Sequence, residues 1–96
     1  MDVLVTYDIA NTETSGARRL RRIADVCSSY GQRVQFSVFE CRVSAERFER
    51  FMGEIEDVID PKQDSVVIYR FPGVLRESRV DLGRPANREL GEPWML

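Results

Sequence analysis

Three groups of residues in this 96-residue chain have types and spacing suited to chemistry. Asp8 closes the run Val3-Leu4-Val5-Thr6-Tyr7-Asp8-Ile9, placing a carboxylate at the exit of an otherwise apolar strand. A charge there is costly unless it meets an edge, a metal or a partner. Arg18, Arg19, Arg21 and Arg22 form a cation cluster interrupted only by Leu20. The run Arg33-Val34-Gln35-Phe36-Ser37-Val38-Phe39-Glu40 alternates like a strand, with Arg33, Gln35 and Ser37 on one side. A lone acid, an arginine cluster and a polar strand together point to phosphate chemistry, although the net charge is only −2.

Each group carries a functional and a plainer reading. Asp8 is a metal ligand or a strand-end acid that caps the next loop. A hard carboxylate suits Mg²⁺ or Mn²⁺, which take one or two protein carboxylates and fill the rest with water and phosphate oxygens. One such aspartate per chain is thin; two copies meeting across a dimer axis would supply two. The arginines are a solvated helix face or an anion site. Arg18 and Arg19 fall near the positive end of a helix dipole, where cations are unfavourable by about 0.3–1 kcal/mol each when exposed. Arginine forks around a helix start suit phosphate. Gln35 and Ser37 are solvent-facing strand residues, or they line a shallow groove beside Asp8. Phe39 belongs to the core or to a dimer interface.

The chain contains no histidine. That removes Ser-His-Asp and Cys-His pairs and any imidazole base, leaving a carboxylate, a lysine, a tyrosine or metal-bound hydroxide. Cys27 and Cys41 sit in apolar settings and read as core residues, since a zinc site needs four ligands.

The elements that must position these groups follow from periodicity. Residues 2–9 read as a strand with Val3, Val5, Tyr7 and Ile9 on one face and Leu4, Thr6 and Asp8 on the other. Residues 10–15 are a polar loop with several side chains able to cap a helix. A helix then runs to about Tyr30, with Ala17, Leu20, Ile23, Ala24, Cys27 and Tyr30 as its buried stripe and Gly31 as its terminating glycine. Residues 33–43 are strand, with a face switch near Ser37-Val38 that requires a bulge or a tight hairpin. Ser44 caps a second helix, Val43 staples onto Phe48, and Phe48, Phe51, Met52, Ile55 and Ile59 form its stripe before Pro61. Residues 65–71 are a strongly apolar strand, and a weaker strand is expected over 75–82. The order is that of a ferredoxin-like α/β sandwich, β-α-β-β-α-β, with an extra C-terminal strand. Both helices then cover one sheet face, and the bare face predicts a homodimer.

A charged fraction of 31% and an apolar fraction of 43% are ordinary for a globular chain of one domain. No apolar run approaches the roughly 20 residues of a membrane span, and residues 1–9 lack the features of a signal peptide. The expected location is cytoplasmic, without membrane contact. Residues 1–82 are expected to form the domain and 83–96 an irregular tail, whose Trp94-Met95-Leu96 need an apolar surface.

Tyr7-Asp8-Ile9 after a short apolar strand, arginines opening the first helix, Tyr30-Gly31-x-Arg33-Val34-Gln35-x-Ser37-Val38-Phe39-Glu40 and Asp64-Ser65-Val66-x-x-Tyr69 resemble the second core family of CRISPR-associated proteins. The likeness spans roughly residues 1–82. It implies a ferredoxin-like homodimer with Mg²⁺-dependent phosphodiesterase activity on single-stranded RNA, double-stranded DNA or both. It places the metal aspartate on Asp8, one from each subunit, the nucleic-acid arginines on Arg19, Arg21 and Arg33, and the phenylalanine of the motif on Phe39. It also implies a partner, the spacer integrase, whose dimers flank the small dimer while captured DNA lies along it. Ala10 departs from members that carry a polar residue there. Two alternatives to a nuclease stay open: a non-catalytic DNA-binding scaffold bridging integrase dimers, and a ligand-sensing module, which would need a small-molecule pocket and no arginine cluster.

Overall fold

The computed structural model describes residues 1–83. Strands β1 (Asp2–Asp8), β2 (Gly31–Gln35), β3 (Val38–Arg42) and β4 (Ser65–Phe71) alternate with helices α1 (Ala17–Ser28) and α2 (Ala45–Val58) in the order β-α-β-β-α-β. The sheet order is β2-β3-β1-β4 with every neighbouring pair antiparallel. This is the ferredoxin-like topology expected from the periodicity.

β1 is the sheet's apolar axis because its alternation matches the pleat. Val3, Val5, Tyr7 and Ile9 are buried under the helices, while Leu4, Thr6 and Asp8 lie on the other face. Ile23 and Cys27 of α1 and Phe48, Phe51, Ile55 and Val58 of α2 complete the core with Phe39, Cys41 and Val43 of the β3 segment. Tyr30 stacks on Phe51 with ring centroids 4.4 Å apart, tying the end of α1 to α2. Ser44 caps α2 as expected, its hydroxyl accepting from the Arg47 amide at 3.2 Å. Both cysteines are free and buried, and burial pushes each thiol up to about 12.

Several local expectations change. α1 ends at Ser28, and its N-cap is Gly16 rather than a polar side chain of residues 10–15. A Cβ on Gly16 would lie 1.8 Å from the Ala10 carbonyl oxygen, so the close approach of the incoming loop selects glycine there. Gly31 opens β2 instead of terminating α1; a Cβ there would lie 2.1 Å from the Glu40 carbonyl oxygen of the neighbouring strand. The face switch in 33–43 is resolved as a hairpin and a bulge together. Phe36 and Ser37 form the turn, neither with positive φ, and the register slips between Arg33 and Gln35. The further strand expected over 75–82 is absent from the sheet: Leu75–Ser78 forms a 3-10 helix. The Leu75 amide donates to buried Asp2 at 2.8 Å, which turns this segment back onto the sheet. The expectations for the tail beyond Gly83 lie outside the described residues.

The helices cover one sheet face only. On the other, Val67 and Tyr69 of β4 are exposed beside half-buried Leu4, Thr6 and Val38. Among the described residues, no helix is long and apolar enough to cross a membrane.

Candidate nucleic-acid interface and carboxylate site

Asp8 is the last residue of β1, opposite Ser65 of β4, exposed and on the sheet face without helices. Its carboxylate has no hydrogen bond or ion pair among the described residues, so the loop-capping reading finds no support in its contacts. Ala10 and Asp64 do that work instead. The Asp64 carboxylate accepts from the Ala10 amide at 2.9 Å and the Asp60 amide at 2.8 Å. It also pairs with Arg19, whose Nε lies 2.7 Å away. The Arg19 guanidinium holds the Asp64 carboxyl down to about 2; burial opposes that shift and the two amides add to it.

Arg19 therefore parts company with the other arginines of its cluster. Its terminal nitrogens reach the carbonyl oxygens of Ser15 and Ala10, each at 3.2 Å. Arg18, Arg21 and Arg22 are exposed and make no such bonds among the described residues. With Leu20, Ala24, Asp25 and Arg33 they line a shallow open groove along α1. Arg33 reaches this groove because it pairs with Phe39 on the helix-covered side of the sheet. Its guanidinium lies over the Phe39 ring at 5.1 Å, and its Nε is buried without a hydrogen-bond partner among the described residues. Gln35, after the register slip, pairs with Val38 on the opposite face. The expected polar side shared by Arg33, Gln35 and Ser37 is thus split by the bulge.

The remaining expected residues support the end of β1. Ser37 lies in the hairpin turn, and its carbonyl accepts from the Tyr7 amide at 3.1 Å. The Tyr7 hydroxyl donates to the Phe36 carbonyl at 3.1 Å. The Tyr7 ring packs against Phe39, which is fully buried. Burial raises the Tyr7 pKa, with the nearby Arg33 charge opposing, so Tyr7 is a bracket for the hairpin and no base at neutral pH. Sequence reasoning assigned no role to Asp64. The signals were an acid standing directly before an apolar strand and its place in the motif Asp64-Ser65-Val66-x-x-Tyr69.

Among the described residues, no three histidine, cysteine, aspartate or glutamate side chains come together to hold a metal ion. Asp8 supplies a hard oxygen donor that no other described residue engages. That suits Mg²⁺ or Mn²⁺ as one of the one or two carboxylates these ions take.

The topology, the unengaged strand-end carboxylate and the groove define a ferredoxin-like protein with a face of exposed arginines along α1. Residues 1–75 match the family model described as CRISPR associated protein Cas2, and the chain belongs to that family. It is 52% identical over 82 residues to the CRISPR-associated endoribonuclease Cas2 of Chlorobaculum tepidum, covering 84% of this chain and 83% of that one. It is 38% identical over 96 residues to the CRISPR-associated endonuclease Cas2 of Halalkalibacterium halodurans, covering 100% of both chains. The crystal structure of Streptococcus pyogenes Cas2 at pH 6.5 superposes with a TM-score of 0.78 at 41% identity, covering 86% of this chain and 100% of that chain.

Proposed function

We propose that this chain is a metal-dependent phosphodiesterase that cleaves single-stranded RNA or double-stranded DNA, and that as a homodimer it is a subunit of the spacer-integration complex in the cytoplasm. The observation that carries this reading is the exposed, unengaged Asp8 carboxylate at the end of the sheet where α1 begins its run of exposed arginines. Two related chains whose names state endoribonuclease and endonuclease activity support it.

Asp8 from each of two subunits would hold Mg²⁺ or Mn²⁺, and the ion would supply activation of water and charge stabilisation at the scissile phosphate. Arg18, Arg21, Arg22 and Arg33 bind flanking phosphates. Tyr7, Ser37 and Phe39 fix the hairpin beside the end of β1, and Gln35 lies on the same sheet face as Asp8, two strands away. Because the net charge is −2, bulk electrostatics repel nucleic acid, and the local arginines must provide the attraction. The open face with Val67 and Tyr69 is the surface on which the second subunit packs.

The test replaces Asp8 with Asn, which keeps the shape and removes the charge. Cleavage of RNA and duplex DNA should be lost while folding and sedimentation as a dimer persist. Cleavage equal to the parent's would remove Asp8 from the site.

A second reading, the non-catalytic scaffold bridging integrase dimers, is favoured by the lack of a cluster of metal-ligating side chains around Asp8 among the described residues. It predicts that Asp8→Asn supports spacer integration as well as the parent, whereas replacing the four arginines with alanine does not.

A further inference from the structure

We infer that Arg19 and Asp64 form a clamp on the backbone that follows Asp8, and that Arg19 serves the reaction as a positioning residue through this clamp, without binding phosphate. The inference rests on the reading of Asp8 as the reactive-site carboxylate.

The hydrogen-bond inventory carries it. A guanidinium has five N–H groups. Those of Arg19 make four bonds inside the protein: Nε to Asp64 at 2.7 Å, one terminal nitrogen to Ser15 O at 3.2 Å, and the other to Ala10 O and Asp64, each at 3.2 Å. Too little donor capacity is left for a bidentate grip on phosphate. The Asp64 side chain is 0% exposed, and both its oxygens are occupied by Arg19 and by the Ala10 and Asp60 amides. An electropositive groove therefore gains nothing from Asp64, and the pair is in place before any ligand arrives.

What the pair holds is specific. Ala10 is gripped at both its amide and its carbonyl, two residues beyond Asp8. Ile9 between them is anchored in the core. Asn11 adopts φ 55°, its carbonyl accepts from the Gly16 amide at 2.8 Å, and its side-chain amide donates to Gln63 at 2.9 Å. Asp8 is thus fixed on one side by the pairing of β1 with β4 and on the other by the clamp. A reacting group displaced by about 1 Å costs on the order of 100-fold in rate, so a loose loop after Asp8 would act on turnover and leave binding intact.

The two roles for Arg19 predict opposite effects for its partner. If Arg19 binds phosphate, Asp64→Asn frees it and tightens nucleic-acid binding. If it positions, Asp64→Asn copies the Arg19 variant. The experiment takes the full chain as parent, Arg19→Lys, Asp64→Asn, the double variant, and Arg21→Ala as the phosphate-contact control. Binding of single-stranded RNA is measured against salt without divalent metal, amide exchange is read at Ala10, and kcat and KM are measured for cleavage. Arg21→Ala should make the salt slope shallower by about 0.7, the loss of one single-strand phosphate contact. Arg19→Lys and Asp64→Asn should leave the slope and KM unchanged, speed Ala10 exchange at least about 10-fold, and lower kcat by roughly 10–100-fold. The double variant should be no worse than the worse single one. Tighter binding by Asp64→Asn with kcat retained would overturn the clamp. If Asp64→Asn does not fold, Arg19→Lys decides: a shallower slope with Ala10 exchange unchanged overturns it. If Asp8→Asn cleaves like the parent, the site reading falls, and Ala10 exchange still judges the clamp. If Asp8→Asn is inactive and the clamp variants keep kcat, the clamp alone falls.

Discussion

Two arginine–aspartate pairs sit at opposite ends of the central strand, and their bond geometry is nearly the same. Arg19 meets Asp64, and Arg42 meets Asp2, through Nε at 2.7 Å and a terminal nitrogen at 3.2 Å. Their surroundings differ. The Arg42 side chain is 69% exposed and the Arg19 side chain 17%. Among the described residues Arg42 bonds through its side chain to Asp2 alone, whereas Arg19 also holds the carbonyls of Ser15 and Ala10. The same ion pair therefore does two jobs. Near Asp8 it joins the loop after β1, the start of α1 and the turn before β4. At the far end Asp2 chiefly anchors the amide of Leu75 after β4, and Arg42 adds a solvent-screened charge.

The contrast breaks most sharply at Asp64. Asp64→Ala leaves Arg19 and the Ala10 and Asp60 amides without their acceptor and should cost about 3–5 kcal/mol, the usual penalty for halving a buried pair. A denaturant midpoint measures it.

Acid acts on both pairs at once. The folded-state pKa values of Asp64 and Asp2 are both lowered from 3.8 to about 2, by the paired arginine first in each case. A depressed carboxylate pKa contributes stability above the unfolded value, and that stability is lost as pH falls from about 4 to about 2. Acid titration of the fold should show this loss, and Asp64→Asn should flatten it more than Arg42→Ala. Equal profiles would erase the distinction between the two ends.

Smaller effects belong to the far end. Asp2→Ala strands the Leu75 amide and should cost about 1–3 kcal/mol, with the release of residues 75–78 visible in amide exchange. Arg42→Ala should fall within about 0–1 kcal/mol, because its guanidinium is exposed and screened. A loss as large as that of Asp64→Ala would show that burial is not what separates the pairs.

How far these features could be read in the sequence depends on whether local rules decide them. The alternation of β1, the outward face of Asp8, the stripe of α2 and its Ser44 cap are set by neighbours within a turn or a pleat, and all were legible. Gly16 was missed as the N-cap and Gly31 was misread as a helix end, because backbone outside the helix crowds them, at Ala10 and Glu40. Arg33 changed faces because one slipped residue in the hairpin reverses the parity of the strand. The short 3-10 helix replaced a strand because buried Asp2 captures the Leu75 amide. In the site, the exposed arginines were visible as a cluster, but the separation of Arg19 from them was not. It depends on Asp64, whose acceptors are filled from the far side of two turns.

The most direct test of the account is to find where a divalent ion binds on the folded protein. Titrating Mn²⁺ into the isotopically labelled chain and following paramagnetic line broadening reads this residue by residue. Broadening should begin at Asp8 and its neighbours Ile9 and Ser65, be displaced by excess Mg²⁺, and vanish in Asp8→Asn. Broadening centred on the acidic turn around Asp60, or unchanged in Asp8→Asn, would contradict it.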